Sequence, residues 1–235
     1  EAGRALARDR SLRAAVLSGE GPSFCAGLDT STFGALAGGG DGAEGPRFEA
    51  FRTEPGEAAN AAQQFAWAWH DLPVPVIAAI HGVCFGAGIQ LALAADIRFV
   101  APDARVSILE MKWGLVPDVT GTQTLRHLLP LDVIKELTYT ARILSGSEAA
   151  ELGLATHVAD DPHAAAMALA HEIAGRSPTA VRAAKRLLDA AAVARPDDGL
   201  RLEAELQRGL IGSPNQVEAV MANLQKRAPE FQDPE

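Results

Sequence analysis

The apolar residues of this chain follow two rhythms. Up to about residue 110 they gather in short blocks, at 14–18, 76–80, 96–100 and 106–109, rich in Val, Ile, Leu and Ala and bounded by turns. Runs of that length and composition predict buried strands. Helical spacing covers 55–72, where Pro73 and Pro75 stop it, and returns at 89–95, 122–129 and 131–141. Ser145 followed by Glu148 matches a capping box, which predicts a short helix ending at Gly153. Beyond it the pattern is helical throughout, at 163–175, 177–192, 197–211 and 214–227. Ser177 and Pro178 supply the N-cap and first residue of the second of these. Residues 4–13 read as the end of a charged amphipathic helix, and the absence of an initiator Met raises the expectation of a preceding segment. Strand, turn and helix thus alternate before helix alone takes over. We expect an α/β core over residues 1–160 and a helical extension over 161–235, with a weak joint at 160–163.

Composition narrows the function classes. Of 235 residues, 48% are hydrophobic and 22% charged, which suits a packed domain and excludes a disordered chain. Thirty acidic against 21 basic residues give a net charge of −9, an argument against nucleic acid or an anionic membrane surface as partner. No apolar run approaches the roughly 18 residues of a membrane span. Cys25 and Cys84 are too few for a disulfide framework, which points to a reducing, cytoplasmic setting. The Gly/Ala-rich stretch 34–46 reads as a flexible loop.

Two glycine turns and two acids carry the candidate chemistry. Cys25-Ala-Gly-Leu28 and Phe85-Gly-Ala-Gly88 each follow a strand and approach a helix start, where backbone N–H groups lack partners. Leu28 N–H and Ala87 N–H could converge on one oxygen as an oxyanion hole, although an isolated glycine turn is usually only a tight turn. Neither is a phosphate loop or a dinucleotide fingerprint. Glu110 and Asp118 flank the apolar run Trp113-Gly-Leu-Val-Pro117, surroundings that raise a carboxyl pKa toward the range of a general acid or base. As a bare pattern, two loop carboxylates are more often solvated or salt-bridged. His70, His81 and His127 show no metal-ligand spacing. Phe85 and Trp113 neighbour the donors and acids and are candidates for a pocket wall. Trp67 and Trp69, two residues apart on a helix, point to different sides.

In order and at their spacing, these residues resemble the enoyl-CoA hydratase/isomerase (crotonase) family from about residue 10 onward. The anchors are Ser23-Phe-Cys-Ala-Gly-Leu-Asp29, Pro75-Val-Ile-Ala-Ala-Ile-His-Gly-Val83 with Gly86-Ala-Gly88, Ala95-Asp-Ile-Arg98, Glu110 with Gly114-Leu-Val-Pro117, and Ala149 with Gly153-Leu154. Ser177-Pro178 with Lys185, and Lys226-Arg227 with Pro229 and Phe231, fit as well. The resemblance implies the crotonase-like spiral α/β fold, with the last helices mediating a homotrimer or a hexamer of two trimers. It implies an acyl-CoA substrate, with coenzyme A as part of the thioester and no tightly bound cofactor or metal. Leu28 and Ala87 N–H would hold the thioester carbonyl, while Ala26, Leu28, Asp29 and Lys226 would meet the CoA portion.

The acids then select the reaction. Hydratases of this family use two glutamates; one matches Glu110, the other falls at position 90, which is Gln90 here. Dienoyl-CoA isomerases carry acids matching Glu110 and Asp118, with a third again at position 90. The resemblance therefore favours a double-bond isomerase using Glu110 and Asp118, with Gln90 orienting water or substrate in the pocket. A hydratase that tolerates Gln90 is the alternative, and a catalytically silent acyl-CoA-binding paralogue ranks below it. A dehalogenase branch also places an acid like Asp118, but lacks one at the Glu110 position.

Overall fold

The computed structural model describes residues 1–29, 49 and 51–234. Its elements in chain order are α1 (Ala2–Leu6), β1 (Ala15–Ser18), α2 (Ala61–His70), β2 (Val76–Ile80), β3 (Val83–Phe85), α3 (Ala87–Leu93), β4 (Ile97–Val100) and β5 (Arg105–Ser107). A 3-10 turn (Glu110–Trp113) precedes α4 (Gly121–Leu125), α5 (Leu131–Thr140), β6 (Leu144–Ser145), α6 (Gly146–Leu152) and β7 (His157–Val158). The helices α7 (Pro162–Ala174), α8 (Pro178–Ala191), α9 (Pro196–Leu210) and α10 (Pro214–Gln225) close the chain. The expected loop at 34–46 lies outside the described residues.

One sheet has the order β1-β2-β4-β7 and a second the order β3-β5-β6. β2 pairs with β4, β4 with β7, and β3 with β5, all parallel, while β6 runs antiparallel to β5. Every residue of β2 is buried, which is why the run Val-Ile-Ala-Ala-Ile contains no polar position. β3, β6 and β7 are absent from the sequence expectation. They are two or three residues long, too short to show a period of two.

Helix limits follow their caps. Asn60 accepts from Gln63 N at 2.9 Å while Gln63 Oε1 accepts from Asn60 N at 3.0 Å, a reciprocal box that starts α2 at Ala61 instead of residue 55. Ser145 Oγ accepts from Glu148 N, and Gly153 leaves α6 at φ 95°, as the capping box predicts. Ser177 caps α8, with Pro178 next. The helix expected to reach Arg13 ends at Leu6.

Two compact units emerge. The first gathers 1–16, 71–76 and 167–235; the second comprises 17–70 and 77–166. In the first, Arg182 of α8 donates to the carbonyls of Asp9, Arg10 and Leu12, and Lys185 Nζ donates to Val74 O. α8 packs on α9 and α10, and Asn215 exchanges two hydrogen bonds with Gln232, fixing the C-terminal segment against α10. In the second, buried Arg98 donates to Leu154 O and Ala95 O, which ties β4 to the end of α6. Burial lowers the Arg98 pKa to about 10 and leaves it a cation at neutral pH. Among the described residues, no helix is long and apolar enough to cross a membrane.

Candidate active site

The two glycine turns are joined by backbone. Phe24 N donates to His81 O, Cys25 N to Val83 O, and Phe85 N to Cys25 O, so the segment before Leu28 pairs in parallel with β3. This ladder carries both turns out side by side. The approach is too close for side chains: a Cβ on Gly88 would lie 2.3 Å from Cys25 O, and one on Gly27 would lie 2.9 Å from Phe85 O and 3.7 Å from Ala87 N. Gly27 also holds φ 87°. Ala87 opens α3, so its N–H has no acceptor within the helix. The Leu28 side chain is 50% exposed, which leaves its backbone at the rim of the turn. Ala26 and Asp29 are exposed on the same segment. Lys226 terminates α10 in the other compact unit, in a left-handed conformation.

The acids sit at the two ends of the segment that follows β5. Glu110 begins the 3-10 turn and is only 7% exposed. Its Oε1 accepts from Gln90 Nε2 at 2.6 Å, and its Oε2 is buried with no hydrogen bond among the described residues. A Cβ on Gly86, at the second turn, would lie 3.4 Å from Glu110 Oε1, so this carboxyl borders the turn that carries Ala87. Burial is the main reason its pKa is raised, hydrogen bonds oppose the rise, and the charge of Asp118 adds to it. Asp118 is raised too, through desolvation by the surrounding protein. The charge of Asp118 thus reaches Glu110, as the weakest of the influences on it, whereas desolvation alone raises Asp118.

Phe85 is half-buried with Arg105 Cζ 5.6 Å from its ring centroid, and Trp113 is exposed with Lys112 Nζ 5.6 Å from its centroid. Trp113 and the exposed Leu115 and Val116 lie along the chain between the two acids. Trp67 and Trp69 are both half-buried, and Trp67 stacks on His70. Among the described residues, no group of three or more His, Cys, Asp or Glu is placed to hold a metal ion.

Gln90 departs from expectation. It is fully buried in the described structure. Its Oε1 accepts from Val119 N and Gly121 N, both at 2.9 Å, and its Nε2 donates to Glu110. The sequence does carry a signal for this: a lone amide inside Gly88-Ile-Gln-Leu-Ala-Leu-Ala-Ala95 must find its hydrogen bonds in the interior. Two residues that sequence reasoning passed over complete the arrangement. Thr120, flanked by the two N–H donors, holds φ 68°, an outlier for a β-branched residue. Gly121 leaves space for the amide, since a Cβ there would lie 2.7 Å from Gln90 Oε1.

Comparison with known proteins places the chain. The profile of the enoyl-CoA hydratase/isomerase family matches residues 2–234. The chain belongs to that family. An enoyl-CoA hydratase from Polaromonas sp. JS666 superposes with a TM-score of 0.86 at 28% identity, over 98% of this chain and 86% of that one. The enoyl-CoA hydratase/isomerase chain therefore has the crotonase fold and is an enzyme of that class. It is 32% identical to mitochondrial methylglutaconyl-CoA hydratase of Mus musculus over 97% of its length, spanning 70% of that protein and 65% of the Homo sapiens protein of the same name. It is 34% identical to the peroxisomal Delta(3,5)-Delta(2,4)-dienoyl-CoA isomerase of Arabidopsis thaliana, over 92% of this chain and 78% of that one.

Proposed function

We propose that this enzyme shifts a C=C bond in an enoyl- or dienoyl-CoA thioester. The observation that carries the reading is the buried Glu110 carboxyl beside the turn that opens α3 with an unpaired main-chain N–H, together with a second carboxyl of raised pKa, Asp118, whose charge reaches it. Leu28 and Ala87 N–H hold the thioester oxygen, so that removing a proton from a carbon conjugated with the carbonyl gives an enolate instead of a bare carbanion. One carboxylate takes that proton; the other, protonated, delivers one further along the conjugated chain. The electron pair of the broken C–H bond becomes the new C=C bond and the old one closes onto the incoming proton. Raised pKa values suit both roles, because a weaker acid is a stronger base and keeps its proton to higher pH. Phe85 and Trp113 supply apolar surface for the acyl chain, and Ala26, Leu28 and Asp29 meet the CoA portion together with Lys226 or Arg227 of a neighbouring copy.

Hydration of a trans-2-enoyl-CoA is the second reading, favoured by the hydratase names of the 32%-identical relatives. Gln90 weighs against it, because a buried amide with both heteroatoms engaged neither titrates nor reaches a water in the pocket. Incubation with crotonyl-CoA and with 3-enoyl- and 3,5-dienoyl-CoA thioesters separates the two. Double-bond migration with little 3-hydroxybutyryl-CoA is expected, and hydration at a normal hydratase rate would reverse the assignment. Asp118→Asn should lower isomerisation by about 10²-fold or more, whereas full activity in that variant would remove Asp118 from the mechanism.

Assembly belongs to the same reading. Leu188, Val193, Leu200, Val217, Val220 and Leu224, on or beside the last three helices, are exposed apolar residues suited to contact between copies. Light scattering should give the mass of a trimer or hexamer; a monomer at micromolar concentration would contradict this. The free thiols of Cys25 and Cys84 suit the cytoplasm.

A further inference from the structure

We infer that Gln90 is a positioning residue that selects Oε2 as the working oxygen of Glu110 and holds the turn presenting Asp118, without itself touching substrate or water. The inference rests on the reading of Glu110 and Asp118 as the acid–base pair. One primary amide has two functional ends, and here one is committed to Glu110 and the other to the backbone that follows Asp118. The Nε2 end binds Glu110 Oε1, so of the two carboxyl oxygens only Oε2 is left without a hydrogen bond in the described protein. The Oε1 end takes the N–H groups of Val119, next after Asp118, and of Gly121, on either side of Thr120. A β-branched residue at φ 68° is strained and persists only where its surroundings over-determine it. The two hydrogen bonds from Val119 and Gly121, together with the close fit of Gly121 over the amide, provide that constraint. Gln90 therefore ties the start of the 3-10 turn to the segment after Asp118, eight residues further along the chain.

A glutamate at position 90 cannot reproduce this. Its carboxylate could still accept from Val119 and Gly121, but would face Glu110 Oε1 as acceptor against acceptor at the present 2.6 Å. The two would have to share a proton. Asp118 is the other charge whose field reaches Glu110. The remaining charged groups nearby are Lys112 on the same 3-10 turn and Asp132, Lys135 and Glu136 on α5, which packs against it; all four are exposed and screened by solvent.

The test compares Gln90→Met and Gln90→Glu with the wild-type enzyme. In Gln90→Met, kcat for double-bond migration should fall by about 10²-fold, the scale of a misplaced catalytic group, with KM changed less than the chemistry. The acidic limb of its pH–rate profile should move to higher pH, because the amide no longer favours the Glu110 carboxylate. In Gln90→Glu the limb should move up as well, and hydration of crotonyl-CoA should not rise above the wild-type level. Carboxyl ¹³C titration of Glu110, assigned by its loss in Glu110→Gln, reads the same shift without any substrate. Should Gln90→Met fail to fold, Gln90→Glu keeps the side-chain length and the acceptor and decides the matter alone. An unchanged Glu110 titration in the folded variants, or a gain of hydration in Gln90→Glu, would overturn the inference. If the wild-type enzyme proves to catalyse no isomerisation, the functional reading fails, and the Glu110 titration still decides the role of Gln90.

Discussion

Replacing Glu110 by Gln should reduce turnover by about 10²–10⁴-fold, the range for losing a general acid–base group, while leaving acyl-CoA binding almost intact. It should also leave the enzyme as stable as before, or more so, at pH 7–8. The reason lies in the direction of the Glu110 pKa. Burial holds it above its ordinary value, so between the unfolded and folded pKa values the native chain binds more protons than the unfolded one. The stability this group contributes is therefore fully present below its unfolded pKa and is lost as pH rises through the folded pKa. At neutral pH the buried charge opposes folding. A glutamine has the same shape, can still accept from Gln90 Nε2, and carries no charge to desolvate. Thermal melts from pH 4 to pH 8 should show Glu110→Gln gaining on the wild-type protein as pH rises. A melting temperature that instead falls further behind with rising pH would mean that Glu110 is a structural anion, and near-normal turnover would remove it from the chemistry.

Gly88→Ala should produce a loss of a different kind. The new methyl group would meet Cys25 O at 2.3 Å and Cys25 Cβ at 2.8 Å, both in the strand segment leading to Leu28. Neither contact is with the far end of a flexible side chain, so the two turns must separate. Losing one donor of an oxyanion hole corresponds to about 2.7–4 kcal/mol at the barrier, or roughly 10²–10³ in rate. In the proposed mechanism the donors also hold the ground-state carbonyl, so binding of a non-reacting acyl-CoA should weaken in parallel. That loss of binding separates this variant from Glu110→Gln. A Gly88→Ala enzyme with wild-type kcat/KM would show that the turns do not act as a pair.

Leu28, Ala87, Glu110 and Asp118 were legible because each lies within a local pattern: a strand feeding a glycine turn, or an acid bordering an apolar run. The parallel ladder that aligns the two turns was not. β3 is only Val83–Phe85, with Gly82 and Gly86 on either side, and it is recognisable as a strand only through its partners β5 and Cys25. Sequence spacing placed a helix from residue 55, yet the Asn60–Gln63 box opens it at Ala61. Gln90 is the instructive case. Resemblance located it where relatives carry an acid and so suggested contact with water or substrate. Its actual partners, Glu110, Val119 and Gly121, lie 20 to 31 residues away and meet it only once α3 and α4 have packed.

The backbone-to-backbone contact at Gly27 and Gly88 also bears on how such a protein can diverge. Main-chain N–H groups survive any exchange of the accompanying side chain other than one to proline. If Leu28 and Ala87 N–H hold the thioester carbonyl as proposed, side chains at positions 28 and 87 can change the space around an acyl group while those N–H groups stay in place. The constraint falls on the neighbouring glycines, where even one added carbon meets the opposing chain. Selection for new acyl groups can act on residue 28 or 87 with little risk to the polarising apparatus, whereas Gly27 and Gly88 have almost no neutral neighbours in sequence space.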